Sequence, residues 1–276
     1  MLTLPSLLWL VVLFVIPTVL VLAISFRPPT PSGGVGDGWT LQTVLALRNP
    51  SYPVIVWRTL RLSAETALIC LFFGLPVAYL MARSSDRAKR LLLLLVIVPF
   101  WTSFLIRIFA WKVLLHPEGV MKQAFAWAGL VAPDASLMYN EGAVLLVLVY
   151  TYLPFAILPL YAAAERFDFG LVDAAMDLGC HKFRALLNVF IPGISRGLAT
   201  ALVVVFVPAL GSYVIPDIVG GPGGEMLGNK IAQRVFVDRN LPHASALSSL
   251  LTVAVVVPML AGLALRRHRV RPGGAK

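Results

Sequence analysis

Charge is scarce in this chain. Of 276 residues only 13% are Asp, Glu, Lys or Arg, and 59% are hydrophobic. A soluble domain carries roughly a quarter charged residues and about half apolar ones. The deficit argues against a soluble globular protein and for an integral membrane protein. Cysteine is also rare: Cys70 sits in an apolar run and Cys180 in a polar one. That excludes a disulfide framework, and neither has metal-ligand spacing to another Cys or His. The histidines, His116, His181, His243 and His268, are scattered at loops and ends. No HExxH motif, serine-based motif or aspartate pair is visible, so the chain is not expected to be an enzyme. The stretch Gly223 to Lys230 nearly spells a phosphate loop. It lacks the Gly-Lys-Ser/Thr ending and a preceding strand, so no nucleotide or other cofactor is expected on this chain.

Acidic residues are the scarcer sign, 13 against 23 basic ones, giving a net charge of +10. No basic surface studded with aromatics accompanies it, so nucleic acid is not the expected partner. The lipid bilayer is, because basic residues gather at the inner ends of membrane spans.

What the sequence has in abundance is long apolar runs. A span needs about 20 such residues. Six are expected, at 6–26, 62–81, 91–115, 143–163, 197–219 and 244–265, within one transmembrane unit covering 1–276. No Lys or Arg precedes the first run, and it exceeds a signal-peptide core, so it is expected to be a helix that stays. With both termini inside, the inner segments hold Arg83, Arg87, Lys89, Arg90, Arg166, Lys182, Arg184 and Arg196, and the tail adds Arg266, Arg267, Arg269, Arg271 and Lys276. The outer segments hold fewer, which sets the expected orientation. Pro- and Gly-rich stretches such as PPTPSGGVGDG read as outer loops.

One inner loop, 164–196, is unusual. Its segment LVDAAMDLGCHKFRALLNVFIPGI keeps charge, a central glycine and a late proline. Asp173 is suited to open a short helix, since a carboxylate favours free N–H groups there. Ala174 and Ala175 favour helix and let another surface come close. Gly179 permits the turn that ends this helix. HKFRALLNVF reads as a second, amphipathic helix, and Pro192 as the point where a span begins. The expected product is an elbow of two helices. Taken alone, DAA also fits an ordinary amphipathic connector.

The full spacing is more specific. Asp173-Ala174-Ala175, three residues, Gly179, nine residues, then Val189-x-Ile191-Pro192 resembles the signature of ABC importer permeases, Glu-Ala-Ala, three residues, Gly, nine residues, Ile-x-Leu-Pro. The three departures conserve charge or apolar character. The resemblance implies an all-α membrane fold with six spans and a cytoplasmic coupling helix that docks on an ATPase. It further implies a second permease subunit, a different chain, two ABC ATPase subunits using ATP and Mg, and an extracytoplasmic solute-binding protein, all at a bacterial inner membrane. Asp177, one turn after Asp173, is placed either to meet a basic residue of the ATPase or to stay a solvated charge.

VPFWTSFLIRIFAW (98–111), YTYLPFAILPLYAA (150–163), FVPALGSYVIPDIVGG (206–221) and DRNLPHASALS (238–248) look like permeases of the spermidine/putrescine type, most of all the first of the two permeases in such operons. The likeness runs from about 54 to 260 and implies a polyamine solute. One position departs: members often carry an acid where this chain has Ser212, which keeps other small organic solutes open. A stand-alone secondary carrier is the remaining rival, and a carrier does not require the elbow.

Candidate path residues follow from ionisable and aromatic groups near span ends. Glu65 is either a path residue or a shallow, hydrated carboxylate. Asp217, after Pro216, is either a cation contact at a helix break or a loop cap. Trp101, Tyr150 and Tyr213 are either cation–π walls or packing and interfacial anchors. Arg107 is expected to snorkel or to pair with a carboxylate, and it would repel a polyamine.

Overall fold

A computed structural model describes residues 4–30, 33–129, 132 and 135–269, with side chains described from 7 to 257 within those ranges. Among the described residues the structure is helical, and the only strand-like feature is an isolated bridge between Pro29 and Val35. The order is α1 (Leu4–Leu10), α2 (Ile16–Ile24), α3 (Gln42–Leu45), α4 (Ser51–Arg83), α5 (Asp86–Ile97), α6 (Phe104–Leu115), α7 (Val120–Trp127), α8 (Glu141–Glu165), α9 (Gly170–Asp177), α10 (Lys182–Ala185), α11 (Ile191–Gly193), α12 (Ser195–Leu210), α13 (Leu227–Phe236) and α14 (Leu241–Arg269). A π-turn, Val11–Val15, joins α1 to α2.

Among the described residues three helical stretches are long and apolar enough to cross a membrane: Leu7–Ile24, Ser51–Arg83 and Glu141–Glu165. Two bent pairs raise this to five if each pair is one span. A shorter apolar stretch, Leu241–Val257, opens α14. Two of the expected spans are interrupted in the structure. The run 91–115 is not one straight helix: it breaks at Thr102 and Ser103, and its halves diverge by 89°. Pro99 lacks a backbone N–H, both break residues are extended, and Thr102 Oγ1 donates to the freed Pro99 carbonyl at 2.7 Å. The run 197–219 stops helically at Leu210, then turns through Gly211 into a π-turn, Pro216–Gly220. Pro208 lies in its last turn, and the Pro208 carbonyl accepts from Tyr152 Oη at 3.2 Å. Hydropathy registers how greasy a run is, and both breaks lie inside greasy runs.

The chain forms two compact units, 58–225 and 1–57 with 226–276, the boundary falling within α4. In the first, small residues let α4, α8 and α12 pack closely: Ala67, Cys70 and Ala78 on α4, Ala156 and Ala164 on α8, and Ala201 on α12 are all buried. Gly197 lies so close to α8 that a Cβ would overlap Ala163. Close backbone approach of this kind stands in for the hydrophobic drive that lipid removes. At one end of this unit Glu141, in the first turn of α8, takes Arg58 at 2.9 Å and Arg61 through its other oxygen. In the other unit, Tyr52, Ile55, Leu227 and Leu247 form a small core. There Tyr52 Oη lies 2.7 Å from His243 Nε2 and accepts from Arg234 Nη2 at 3.2 Å.

Candidate functional site

The elbow is built as a helix, a tight turn and a second helix. Asp168 opens the first: its Oδ1 accepts from the Gly170 N–H at 2.9 Å. Asp173 therefore does not open the helix as expected. It lies in the first turn of α9, where a negative charge still suits the helix dipole. α9 ends in two wrapped hydrogen bonds, Gly179 N–H to Met176 carbonyl at 2.9 Å and Cys180 N–H to Ala175 carbonyl at 3.0 Å. This is the Schellman arrangement, and it needs a left-handed residue at Gly179, whose φ is +87°. The glycine turn falls where the spacing predicts it.

His181 starts the second helix, its Nδ1 accepting from the Phe183 N–H at 3.3 Å. This helix runs from Lys182 through a π-turn, Leu186–Phe190, to Gly193. The break comes at Ile194, where the axis bends by 73°. The long helix that follows begins at Ser195 and not at Pro192. Val189 and Ile191 are half-buried against the core, while Pro192 is exposed.

An aromatic cluster fastens the elbow. Phe167, Phe169 and Phe190 pack with centroids 5.3 to 5.8 Å apart, and Tyr79 of α4 meets both Phe169 and Phe190. Gly193 leaves room for Phe167, whose ring a Cβ there would overlap. Arg83, the last residue of α4, reaches over Phe169 at 5.4 Å and pairs with Asp173 at 3.8 Å. Beside it, Lys89 meets Glu165 at 3.3 Å, and Tyr161 Oη donates to the same carboxylate at 2.7 Å.

The outward side of the elbow is left open. Asp173, Ala174, Asp177 and Gly179 are exposed, and Ala175 is half-buried. Leu178 is 89% exposed, Phe183 65% and Leu171 54%. Apolar side chains this bare, flanked by Asp177, Lys182 and Arg184, form a surface suited to a protein partner. Leu178 and Phe183 on the open face, and Arg83 and Phe169 beneath it, are elbow residues that the sequence pattern did not single out. The sequence carries no signal for them, because only the fold shows which apolar residues lie bare and which distant side chains meet the elbow.

The five candidate path residues lie on four elements. Glu65, on α4, pairs with Arg61 one turn back at 3.6 Å. Trp101 is 78% exposed at the break before α6. Tyr150, on α8, packs edge-on against Trp111 at 5.2 Å. Tyr213 and Asp217 are exposed in the turn after α12 and share a backbone hydrogen bond, Asp217 N–H to Tyr213 carbonyl at 3.0 Å. Ser212 beside them is buried. Among the described residues no group of three or more His, Cys, Asp or Glu could hold a metal ion.

Comparison with known proteins agrees with this architecture. The chain is 36% identical over 249 residues to the spermidine/putrescine transport system permease protein PotB of Haemophilus influenzae, covering 90% of this chain and 87% of that protein. It is 32% identical to its namesake from Escherichia coli, over 91% of this chain and 92% of that one. The inner membrane ABC transporter permease protein YdcU of Escherichia coli is 31% identical over 75% of this chain and 70% of that one. A bacterial ABC transporter involved in import of the acidic polysaccharide alginate shares the fold, with a TM-score of 0.71 at 18% identity over 96% of this chain and 94% of that one. The model of the family described as binding-protein-dependent transport system inner membrane component matches residues 74–271, which takes in the elbow, and the chain belongs to that family.

Proposed function

We propose that this chain is one of two membrane-spanning permeases of an ABC importer that carries a polyamine, such as putrescine or spermidine, into the cytoplasm. The observation that carries the solute class is the identity to spermidine/putrescine permeases along nine tenths of the chain. The elbow supplies the mechanism. Its open face, with Ala174, Asp177, Leu178 and Phe183, docks on a separate ABC ATPase, which binds ATP and Mg. Phe167, Phe169, Phe190 and Tyr79 tie that face to α4 and to the helices around it, so closure of the ATPase dimer is delivered to the spans as rigid-body rocking. This assignment places the elbow and both termini in the cytoplasm, in line with the basic residues of the 82–90 turn. A solute-binding protein outside delivers the polyamine, and a second, different permease completes the path. This chain forms and breaks no covalent bond of the solute.

Trp101 and Tyr213 offer exposed aromatic faces to an ammonium group. Glu65 contributes charge only in competition with Arg61. The buried Ser212, where such permeases often carry an acid, favours a second reading in which the solute is another small organic molecule. The test is uptake of radiolabelled putrescine and spermidine by cells expressing the whole operon in a host lacking its own polyamine importers. Uptake that needs the ATPase and is lost with Asp173→Arg/Gly179→Trp supports the assignment. ATPase-dependent growth on another solute, with no polyamine uptake, selects the second reading. Uptake by this chain without any ATPase overturns both and returns the stand-alone carrier.

A further inference from the structure

Among the described residues, Arg107 is a cation without a counter-ion. It lies in the first turn of α6, just past the 89° break, with its guanidinium carbon 5.0 Å from the Phe100 ring centroid. Its Nε is buried and has no hydrogen-bond partner. Among the described residues no carboxylate pairs with it, although Arg58, Arg61, Arg83, Lys89 and Arg234 all have one. The position aggravates the need. Ser103 at the start of α6 makes no side-chain cap, so the positive end of the helix dipole adds to the guanidinium charge.

Depth narrows the source of the missing anion. The basic cluster that starts α5 ends at Arg90, and Trp101 lies eleven residues on. At the helical rise of 1.5 Å per residue that is about 16 Å, roughly halfway through a hydrocarbon core of about 30 Å. The chain then bends by 89°, and Arg107 follows six residues after Trp101, in the first turn of α6 and within the apolar run. A polyamine is itself a cation and cannot serve. The surface around Arg107 is bare and apolar: Trp101 is 78% exposed, Ile106 66% and Phe109 51%.

Resting on the assignment as one of two permeases, we propose that Arg107 is half of an ion pair between subunits, completed by an aspartate or glutamate from a membrane-spanning helix of the second permease. Phe100 holds the guanidinium plane in place by its ring face, ready for a planar carboxylate. The pair fixes the register of the two subunits, because an unmatched charge in an apolar interface penalises any other packing.

The experiment uses the whole complex, expressed from its operon and purified through a tag on this chain. Wild type must bring down the ATPase and the second permease; if it does not, the permease assignment itself fails. Given that, Arg107→Gln is expected to lower the ratio of second permease to this chain about tenfold or more, and Arg107→Lys to keep most of it. In a separate variant with Arg107 intact, a benzophenone amino acid replaces Trp101. Ultraviolet light is expected to link it to a peptide of the second permease that contains Asp or Glu. Changing that acid to Arg is expected to restore assembly of Arg107→Glu. The proposal is overturned by an unchanged subunit ratio in Arg107→Gln, or by crosslinks confined to lipid, to this chain, or to peptides without an acid. Should Arg107→Gln fail to fold, the crosslink made with Arg107 in place decides.

Discussion

The Arg83 guanidinium stands 3.8 Å from the Asp173 carboxylate, joining the last residue of α4 to the first turn of the elbow. Both side chains are about half exposed. A pair of that kind stabilises by at most about 1 kcal/mol, so its weight lies in placement. Arg83 also reaches Tyr79 Oη at 3.4 Å and the face of Phe169. It therefore keeps two seats if Asp173 turns outward to a partner. Arg83→Gln is expected to leave the melting temperature of the purified chain nearly unchanged and to lower transport per ATP hydrolysed. Asp173→Arg places two cations together on the docking face and is expected to lose the ATPase in pull-down. Equal transport-to-hydrolysis ratios in wild type and Arg83→Gln would show that the contact has no part in coupling.

Two glycines in this region fail for opposite reasons. Gly179 has a φ of +87°, and a Cβ there would meet nothing within 4 Å. Gly179→Ala is then a purely conformational change, expected to destabilise by about 1 kcal/mol, with Gly179→Asn milder because asparagine tolerates that region. Gly193 has ordinary backbone, but its Cβ would overlap the Phe167 ring. Gly193→Ala is expected to cost about 1–3 kcal/mol through overpacking, and Phe167→Leu should recover part of it. Thermal unfolding in detergent of the single and double variants checks both. Additive losses in the Gly193→Ala/Phe167→Leu pair would rule out the clash.

The contrast shows what could be read from sequence. Gly179 was legible because a helix end leaves its mark locally: a glycine after a run of helix formers, at a spacing that a family preserves. Asp168 was missed as the helix opener because Asp173, inside the motif, drew the role by its type. Arg83 and Tyr79 could not be found, since they meet the elbow from about ninety residues away in the chain. The breaks at Thr102–Ser103 and after Leu210 were hidden by their own greasiness, although Pro99 and Pro208 stood in the sequence. The bare Leu178 was invisible because apolar residues in a membrane protein are expected everywhere, and only the fold shows which of them nothing covers.

In the other unit, Arg234 can only donate, so Tyr52 Oη accepts from it, and the same oxygen lies 2.7 Å from His243 Nε2. Burial, and then the Arg234 cation beside it, favour the neutral form of His243. The contribution of this contact is present where His243 is neutral and is lost as pH falls through the histidine range. Tyr52→Phe leaves a buried imidazole nitrogen unpaired and is expected to destabilise by about 1–3 kcal/mol. It should also flatten the loss of stability between neutral and mildly acidic pH. Melting curves across that range for wild type and Tyr52→Phe make the comparison. Parallel curves would mean that His243 takes no part in the acid response.

The bare apolar pair on the elbow gives the sharpest separation of docking from folding. Leu178 is 89% exposed and Phe183 65%, so neither holds the chain together. Leu178→Asp and Phe183→Asp are accordingly expected to change the melting temperature of the purified chain very little, since exposed substitutions away from special features stay within about 0.5 kcal/mol. Against an ATPase the same changes would bury a carboxylate with no partner, costing about 1–3 kcal/mol or more at the interface, a loss of about tenfold in affinity. Leu178→Met, which keeps apolar bulk, serves as the control and should bind as wild type. The measurement is ATPase retained per permease after gentle solubilisation, beside the melting temperature of each variant. Retention unchanged in Leu178→Asp would move the docking face off this turn and onto the charged side of α9. Retention and melting temperature falling together would make Leu178 a structural residue, in conflict with its exposure.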